Sequence, residues 1–429
     1  MFQHTILWLD AVAEIAAIVA AEVVRGMNAF FLRQQIRVLG STPPEQRTQN
    51  VVVVGASFAG YHAARLMARS LPRNSHYRVV VIEPNSHFQF TWLLPRFCVA
   101  PGHEHKAFIP YGGYISGTAP GSLQWVRDWV TDIGKNIVTV GNEDVIPYEY
   151  LVVATGSGVR QGLPSRVNAT DKTEGVKLLR EFQASIQSAK RIVVVGGGAA
   201  GVELATDAKS KYPEKHVTLV HSRSAPMHLW ASSLQKAALE GLERLGCELI
   251  LNERVIEQDD KAGTITLQSG KVMETDCVVN CTGQKPSSEL IAKLSPSSIA
   301  STGHIKVNPN LSIRDDSLSD RVYICGDVAD TQTPNPNARS AMLQGSVVAD
   351  NVLLAIKDQK PRHVYKNHWL QGFIKLTLGL DRSVSLFGHG ETALLFQSRE
   401  KKEDLMAAQG WKHLGAKPFV DDSSSPKSC

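Results

Sequence analysis

The chain has 429 residues, of which 43% are hydrophobic and 20% charged, and 46 basic against 41 acidic side chains leave a net charge of +5. This composition excludes a disordered, collagenous or coiled-coil chain and a multi-span membrane protein, and the length sets a prior of about two to three domains. So mild and dispersed a positive balance does not call for a nucleic-acid partner.

Residues 5–32 form an apolar run interrupted by Asp10, Glu14 and Glu22. At about 100° per residue these acids and Arg25 share one arc of about 120°, so the pattern is amphipathic. A spanning helix wants about 20 apolar residues, and a carboxylate near mid-bilayer costs about 2.5–3.5 kcal/mol. The acids also speak against a secretory signal or a mitochondrial presequence. The stretch predicts a helix lying in a membrane interface. The alternatives are a helix packed on this protein or a partner, and a cleaved or spanning segment. Residues 41–50, polar with two prolines, predict a linker.

At residues 51–54 four valines lead into Gly55-Ala-Ser-Phe-Ala-Gly60; a helical stretch with Ala63, Ala64, Leu66 and Met67 follows, and a second apolar run ends at Glu83. Gly55 permits the tight turn and Gly60 lets the helix pack on the strand. Ser57, Phe58 and Ala59 lie where a helix N-terminus offers its N–H groups to a pyrophosphate. Glu83, 23 residues past Gly60, is placed to accept ribose hydroxyls. Ser57 stands where the pattern has its middle glycine.

The same grammar returns at residues 191–201, with Gly196, Gly198 and Gly201 all present and Ala199 and Ala200 opening the helix. The next strand ends at His221, 20 residues after Gly201. An acid there would hold the 2′-hydroxyl of NAD and repel the 2′-phosphate of NADP. This chain has His221-Ser222-Arg223, so nothing opposes a phosphate and Arg223 is placed to pair with one. The expectation is that NADPH serves at least as well as NADH.

Three apolar strands complete the pattern. One ends in Ala154-Thr155-Gly156, one in Thr282-Gly283, and one in Gly326-Asp327 ahead of a helix expected from about Ser340 to Ile356. In this order they fit an α/β flavoprotein with two Rossmann-like dinucleotide-binding domains and a C-terminal α+β segment. The expected boundaries are 1–49 for the N-terminal helix and linker, 50–165 with 281–360 for a discontinuous FAD domain, 166–280 for the NAD(P) domain, and 361–429 for the C-terminal segment. Asp327 would hold FAD at a ribityl or pyrophosphate position. The helix start around Met342, Leu343, Gln344 and Gly345 would aim its N–H groups at the flavin pyrimidine.

Six cysteines stand at 98, 247, 277, 281, 325 and 429, with no Cys-x-x-Cys. Cys277 and Cys281, four apart in a strand, lie roughly 13 Å from each other, beyond the roughly 7 Å a disulfide spans. They read as structural thiols of a reducing compartment. No metal site is expected.

These residues and their order resemble the pyridine-nucleotide flavin oxidoreductases in a glutathione-reductase-like arrangement. Within that family they resemble the apoptosis-inducing-factor-like, mitochondrion-associated group that includes the ferroptosis suppressor proteins. The likeness is carried by residues 193–203, by 212–222 with His221-Ser222, and by Tyr365-Lys366 and Gly410-Trp411-Lys412. It implies an enzyme that oxidises NADH or NADPH through FAD and reduces a quinone at a membrane surface. The location implied is intracellular and cytoplasmic, peripheral to a membrane such as the mitochondrial outer membrane or a lipid droplet. The likeness also implies roles: Arg96 near the flavin, Glu203 near the nicotinamide nucleotide, and, more loosely, Arg166 where the family has a flavin-pocket lysine.

No cysteine pair follows Glu83, so electrons are expected to leave the flavin directly rather than through a disulfide. The group carries a myristoylated glycine in the second position, where this chain has Phe2, and the amphipathic stretch would take over as anchor. Competing readings are a reductase for a protein acceptor such as a ferredoxin and an apoptosis-inducing-factor-like signalling or DNA-binding effector. Near the end, Trp369, Phe373, Leu376, Leu378 and Leu380 predict strands over the flavin's far face. Trp411 predicts a short helix packed in the core, with a quinone entrance or a homodimer contact as alternatives.

Overall fold

The computed structural model describes residues 47–421, apart from 73, 142, 160, 161 and 389. It also describes eight residues of the N-terminal stretch. Residues 41–46 of the linker expected at 41–50, and residues 422–429, lie outside the described residues; the last two of that expected linker, Gln49 and Asn50, already pair within the first strand.

The first unit is built on continuous apolar runs. Strand β1 (Gln49–Val54) leads to helix α1 (Phe58–Ser70) and strand β2 (Tyr77–Ile82). Val51, Val52 and Val53 have no exposed surface, as expected of a parallel strand covered on both faces. A short helix α2 (Leu94–Phe97), strand β3 (Leu123–Val126), strand β4 (Tyr150–Val153) and the two-residue β5 (Ser157–Gly158) follow.

The second unit starts after helix α3 (Lys172–Ser188). It contains β6 (Arg191–Val195), α4 (Ala199–Lys211), β7 (His216–His221), α5 (Ser232–Leu245), β8 (Glu248–Leu251) and β9 (Cys277–Asn280). The chain then returns through β10 (Lys285–Pro286) to β11 (Val322–Ile324) and α6 (Ala338–Ala355). It finishes with β12 (Phe373–Thr377), β13 (Arg382–Phe387), β14 (Leu394–Arg399) and α7 (Ala407–His413).

Two parallel sheets result. The first has the order β11-β4-β1-β2-β3 and the second β8-β7-β6-β9. Strand β11, far along the chain, therefore sits beside β4 in the first sheet. The two crossings touch each other: Ser157 of β5 pairs antiparallel with Pro286 of β10. Ser287 N–H also donates to the Gly156 carbonyl at 2.9 Å. The glycine loops of both units lie at the carboxyl ends of their strands, where open α/β sheets bind ligands.

Helix α6 lies on α1 at close range. A Cβ on Gly345 would stand 2.6 Å from the Ala59 carbonyl oxygen. The C-terminal strands form an antiparallel meander, with Phe373 and Phe387 at 4.7 Å between ring centroids. Trp411 of α7 is fully buried and donates from Nε1 to the Lys106 carbonyl at 2.9 Å, so its expected place in the core is correct.

In the N-terminal stretch, Val12, Ala13, Ala16, Val19, Ala20, Val23, Val24 and Met27 are helical and exposed. At about 100° per residue they share an arc of about 140°. Among the described residues, no helix is long and apolar enough to cross a membrane.

Candidate cofactor and nucleotide sites

The first glycine loop turns at Gly55, whose φ is +92° and whose Cβ would stand 2.6 Å from the Ala154 carbonyl oxygen. A Cβ on Gly60 would stand 1.9 Å from the Gly55 carbonyl oxygen. Ser57 caps α1 with φ −85° and ψ −153°, a conformation open to any residue, and its side chain makes no cap bond. Serine at the middle position thus costs no backbone strain. The first-turn N–H groups, including those of Phe58 and Ala59, have no side-chain cap, leaving them for an anion.

Glu83 is almost fully buried behind this loop. Its Oε2 accepts Ala56 N–H at 2.6 Å, and its Oε1 accepts Asn85 N–H at 2.9 Å and Asn85 Nδ2 at 2.6 Å. Burial pushes its carboxyl above the usual range, while these three bonds pull the other way. A carboxylate offers about four acceptor positions, so one remains for a ribose hydroxyl.

Asp327 follows Gly326, whose φ is +80°. Its Oδ2 accepts Ser157 Oγ at 3.3 Å and lies 3.8 Å from Arg166 Nη2. Arg166 also donates to Ser157 Oγ at 3.3 Å, so the fold brings Arg166, Ser157 and Asp327 together. Thr155 is fixed beside them by donating to the Ser287 carbonyl at 2.6 Å.

The expectation for Leu343 and Gln344 needs correction. The helix begins at Ala338, with Asn337 and Ser340 forming a reciprocal capping box that accepts the N–H groups of Arg339 and Ser340. Leu343 and Gln344 therefore sit in the second turn, where their N–H groups are spent inside the helix. Gln344 contributes through its side chain instead: Oε1 accepts Gly326 N–H at 2.7 Å and holds the turn that presents Asp327.

The second loop repeats the first. Gly196 has φ +111°, and a Cβ there would stand 2.7 Å from Thr282 Cγ2, so Thr282-Gly283 closes against it. A Cβ on Gly201 would stand 1.9 Å from the Gly196 carbonyl oxygen, the same distance as in the first loop. Gly198 has φ −78°, and a Cβ there would meet nothing within 4 Å. Ala199 and Ala200 form the uncapped first turn of α4.

His221 occupies the place of Glu83. Its Nδ1 accepts Gly197 N–H at 3.0 Å, as Glu83 accepts from the residue after the first glycine of its own loop. Only a neutral imidazole can do this. Burial, followed by His228 at 5.2 Å and then Arg223, holds the His221 pKa down. Its Nε2 is buried beside the Ala225 backbone. Arg223 is exposed, and no ion pair of Arg223 or Arg254 occurs among the described residues.

Arg96 is placed differently from expectation. It is 1% exposed and donates from Nε to Asp207 Oδ2 at 2.7 Å and from Nη2 to the Gly379 carbonyl at 3.0 Å. It thereby ties α2 of the first unit to α4 of the second and to the turn between β12 and β13. Its guanidinium is spent on this junction rather than turned to an open cofactor surface.

Glu203, on the same face of α4 one turn before Asp207, accepts Thr377 N–H on Oε1 at 3.1 Å. It keeps a strip of accessible surface, but protein surrounds its carboxyl in depth. Burial pushes its pKa to about 8, with the like charge of Asp207 adding to the rise. Burial also raises Asp207 to about 6 against the pull of Arg96. Sequence reading missed Asp207; its signal was the four-residue spacing from Glu203.

Both loops fit a bound dinucleotide. The last glycine of each loop fills a cradle that a methyl group would block, each helix start lacks a side-chain cap, and each following strand ends in a buried acceptor.

Residues 49–345 match the family described as pyridine nucleotide-disulphide oxidoreductase. The chain is 32% identical over 400 residues to Fe-regulated protein 8 of Mycosarcoma maydis, covering 86% of this chain and 96% of that one. It is 30% identical over 384 residues to ferroptosis suppressor protein 1 of Homo sapiens, covering 87% and 98%. The fold is similar to that of a water-forming NADH oxidase from Lactobacillus brevis, with a TM-score of 0.62 at 22% identity, covering 80% of this chain and 76% of the other.

Proposed function

The chain belongs to the pyridine nucleotide-disulphide oxidoreductase family, and from that premise we propose that it passes electrons from NAD(P)H through FAD to a quinone-type acceptor at a membrane surface. When bound, FAD supplies electron-pair storage between the nicotinamide nucleotide and a second acceptor. The chain's own residues bind and orient. The first turn of α1 takes the FAD pyrophosphate, Glu83 the ribose, and Asp327 with Arg166 and Ser157 a more distal part of the cofactor. The first turn of α4 takes the nicotinamide nucleotide's pyrophosphate, with Thr282-Gly283 and Glu203 beside it.

The observation that carries direct electron exit concerns the cysteines. All five described cysteines are free, and Cys98, the first after Glu83, is fully buried with a thiol pushed well above its usual range. Cys98 lies close enough to Cys281 to feel its charge, but burial pushes both thiols up, Cys281 to about 12, which disfavours the thiolate a dithiol relay needs. The quinone itself rests on the family resemblance read from the sequence.

Nucleotide choice follows from the end of β7. Arg223 and Arg254 place positive charge beside the neutral His221 and no acid stands in its place, which favours a 2′-phosphate. NADPH is therefore used at least as well as NADH. In Arg223→Ala the NADPH/NADH ratio of kcat/KM falls; an unchanged ratio refutes this role. The exposed apolar face of the N-terminal helical residues supports the membrane surface. Liposome binding is lost on removing residues 1–40, and equal binding of both proteins refutes it.

The reading as a whole is tested by purifying the protein and scanning its absorbance, then following NAD(P)H oxidation with and without a soluble ubiquinone analogue. A yellow protein with quinone-dependent turnover supports it. A colourless protein that binds no flavin overturns it.

A further inference from the structure

The junction of α2, α4 and the C-terminal sheet holds an unusual charge count. Three carboxylates meet there, Glu203 and Asp207 from α4 and Glu400 from the end of the sheet. Two cations face them: Arg96 from α2, on Asp207, and Lys375 from β12, on Glu400 at 2.6 Å. Ser383 of β13 also donates to Glu400. Each cation is bonded to one carboxylate, and although the Arg96 charge also reaches Glu203, two cations against three carboxylates leave Glu203 as the surplus. If it ionised, a buried cluster would carry an uncompensated negative charge, which low-dielectric surroundings oppose. From β12 it faces only Thr377, a neutral residue, through its backbone N–H and its hydroxyl.

A second observation points the same way. Asp207 has no exposed surface, and its Oδ1 lacks any hydrogen-bond donor. A buried acceptor without a donor is costly. The position one turn back on the same helix face is Glu203, within side-chain reach. A protonated Glu203 carries the O–H that Asp207 Oδ1 lacks. Ionised, it would carry none.

We propose that Glu203 and Asp207 hold one proton between them, and that this acid pair supplies the proton that quinone reduction takes up beyond the hydride. The balance is NAD(P)H + quinone + H⁺ → NAD(P)⁺ + quinol. The nicotinamide gives two electrons and one proton, Glu203 gives the second proton to the cleft, and bulk water restores it. Asp207 acts as a positioning residue, fixing through its own charge where Glu203 gives up its proton; Arg96 holds Asp207 ionised. The second half of the proposal rests on the quinone reading above.

Two measurements on the full-length holoenzyme test it. Infrared difference spectra of the resting protein, taken across pH without acceptor, show a protonated-carboxyl band that titrates in the alkaline range and disappears in Glu203→Gln. In Asp207→Asn the like charge is gone and Arg96 is released, so the band titrates at lower pH by at least one unit. A wild-type spectrum without such a band, or an unmoved midpoint in a folded Asp207→Asn, overturns the pair. If Asp207→Asn does not fold, loss of the band in Glu203→Gln decides.

The second measurement compares ubiquinone-1 with ferricyanide, which takes electrons and no proton. In Glu203→Gln the ratio of quinone to ferricyanide turnover falls at least about a hundredfold, the lower end of the range of general-acid catalysis. Equal loss with both acceptors shows that Glu203 only positions the nucleotide and overturns the proton role. A wild-type enzyme that turns over ferricyanide but no quinone overturns the acceptor reading, while the carboxyl band still reports on the acid pair by itself.

Discussion

Replacing Arg96 with methionine removes the one cation facing Asp207 while keeping most of the side-chain volume. The pair is dry on both sides, with Arg96 1% exposed and Asp207 0%. Water therefore cannot take over when one partner leaves. Removing one member of such a pair costs about 3–5 kcal/mol, because the other charge stays buried and unpaired. The Gly379 carbonyl loses its donor as well. At about 2–4 °C per kcal/mol for a domain of this size, the thermal midpoint should fall by roughly 10 °C.

Two features separate this account from generic damage. Asp207→Leu added to Arg96→Met should restore at least half of the loss, since a buried pair replaced by apolar groups is often neutral. The deficit of the single variant should also shrink as pH falls toward 5, where Asp207 takes up a proton. Thermal melts of the wild type and both variants at pH 5 and 8 measure all three. A single variant within about 1 kcal/mol of wild type, or a double variant no better than the single, would refute the reasoning.

Other outcomes follow from the loops and from Glu203. Gly60→Ala should empty the protein of flavin, and Gly201→Ala should raise the KM for NAD(P)H while leaving flavin content intact; absorbance and steady-state kinetics read both. Gly198→Ala, whose methyl meets only open space, should stay within about twofold of wild-type kcat/KM, whereas Gly196→Ala, forced against Thr282 at φ +111°, should not. Gln344→Leu should leave Gly326 N–H without its acceptor and weaken flavin retention, measured by dialysis against potassium bromide. Glu203 has a folded pKa of about 8 against a usual 4.5, so the folded state binds its proton more tightly. Its contribution to stability is complete below pH 4.5 and is lost as pH rises through 8, at no more than about 1.4 kcal/mol per unit. Urea midpoints across pH should show this fall and show it flattened in Glu203→Gln.

The parts legible in the sequence are those whose cause is local. A strand, a glycine turn, a helix and a second strand occupy about 30 consecutive residues, and both copies form as the pattern predicts. The crossings at Thr155-Gly156 and Thr282-Gly283 were legible as strand ends, although their pairing through Ser157 and Pro286 was not. The start of α6 lies two residues ahead of the expected Ser340 because the Asn337–Ser340 capping box moves it upstream.

Arg96 was assigned to the flavin because its neighbours resemble the family there. Its partner Asp207 is 111 residues away, and no local pattern announces an ion pair at that separation. Thr377, which meets Glu203 across 174 residues, was invisible for the same reason. His221 was read only as a missing acid. The fold shows that imidazole Nδ1 keeps the acid's structural duty, accepting the loop N–H, while removing its charge.

The most direct test of the electron path is anaerobic and uses two mixes. NADPH in stoichiometric amount should bleach the yellow protein, and ubiquinone-1 added next should restore the colour with one equivalent of quinol formed, in Cys98→Ser as in wild type. A protein that bleaches but does not recolour with quinone, or that recolours only when Cys98 is present, would contradict direct transfer from flavin to quinone.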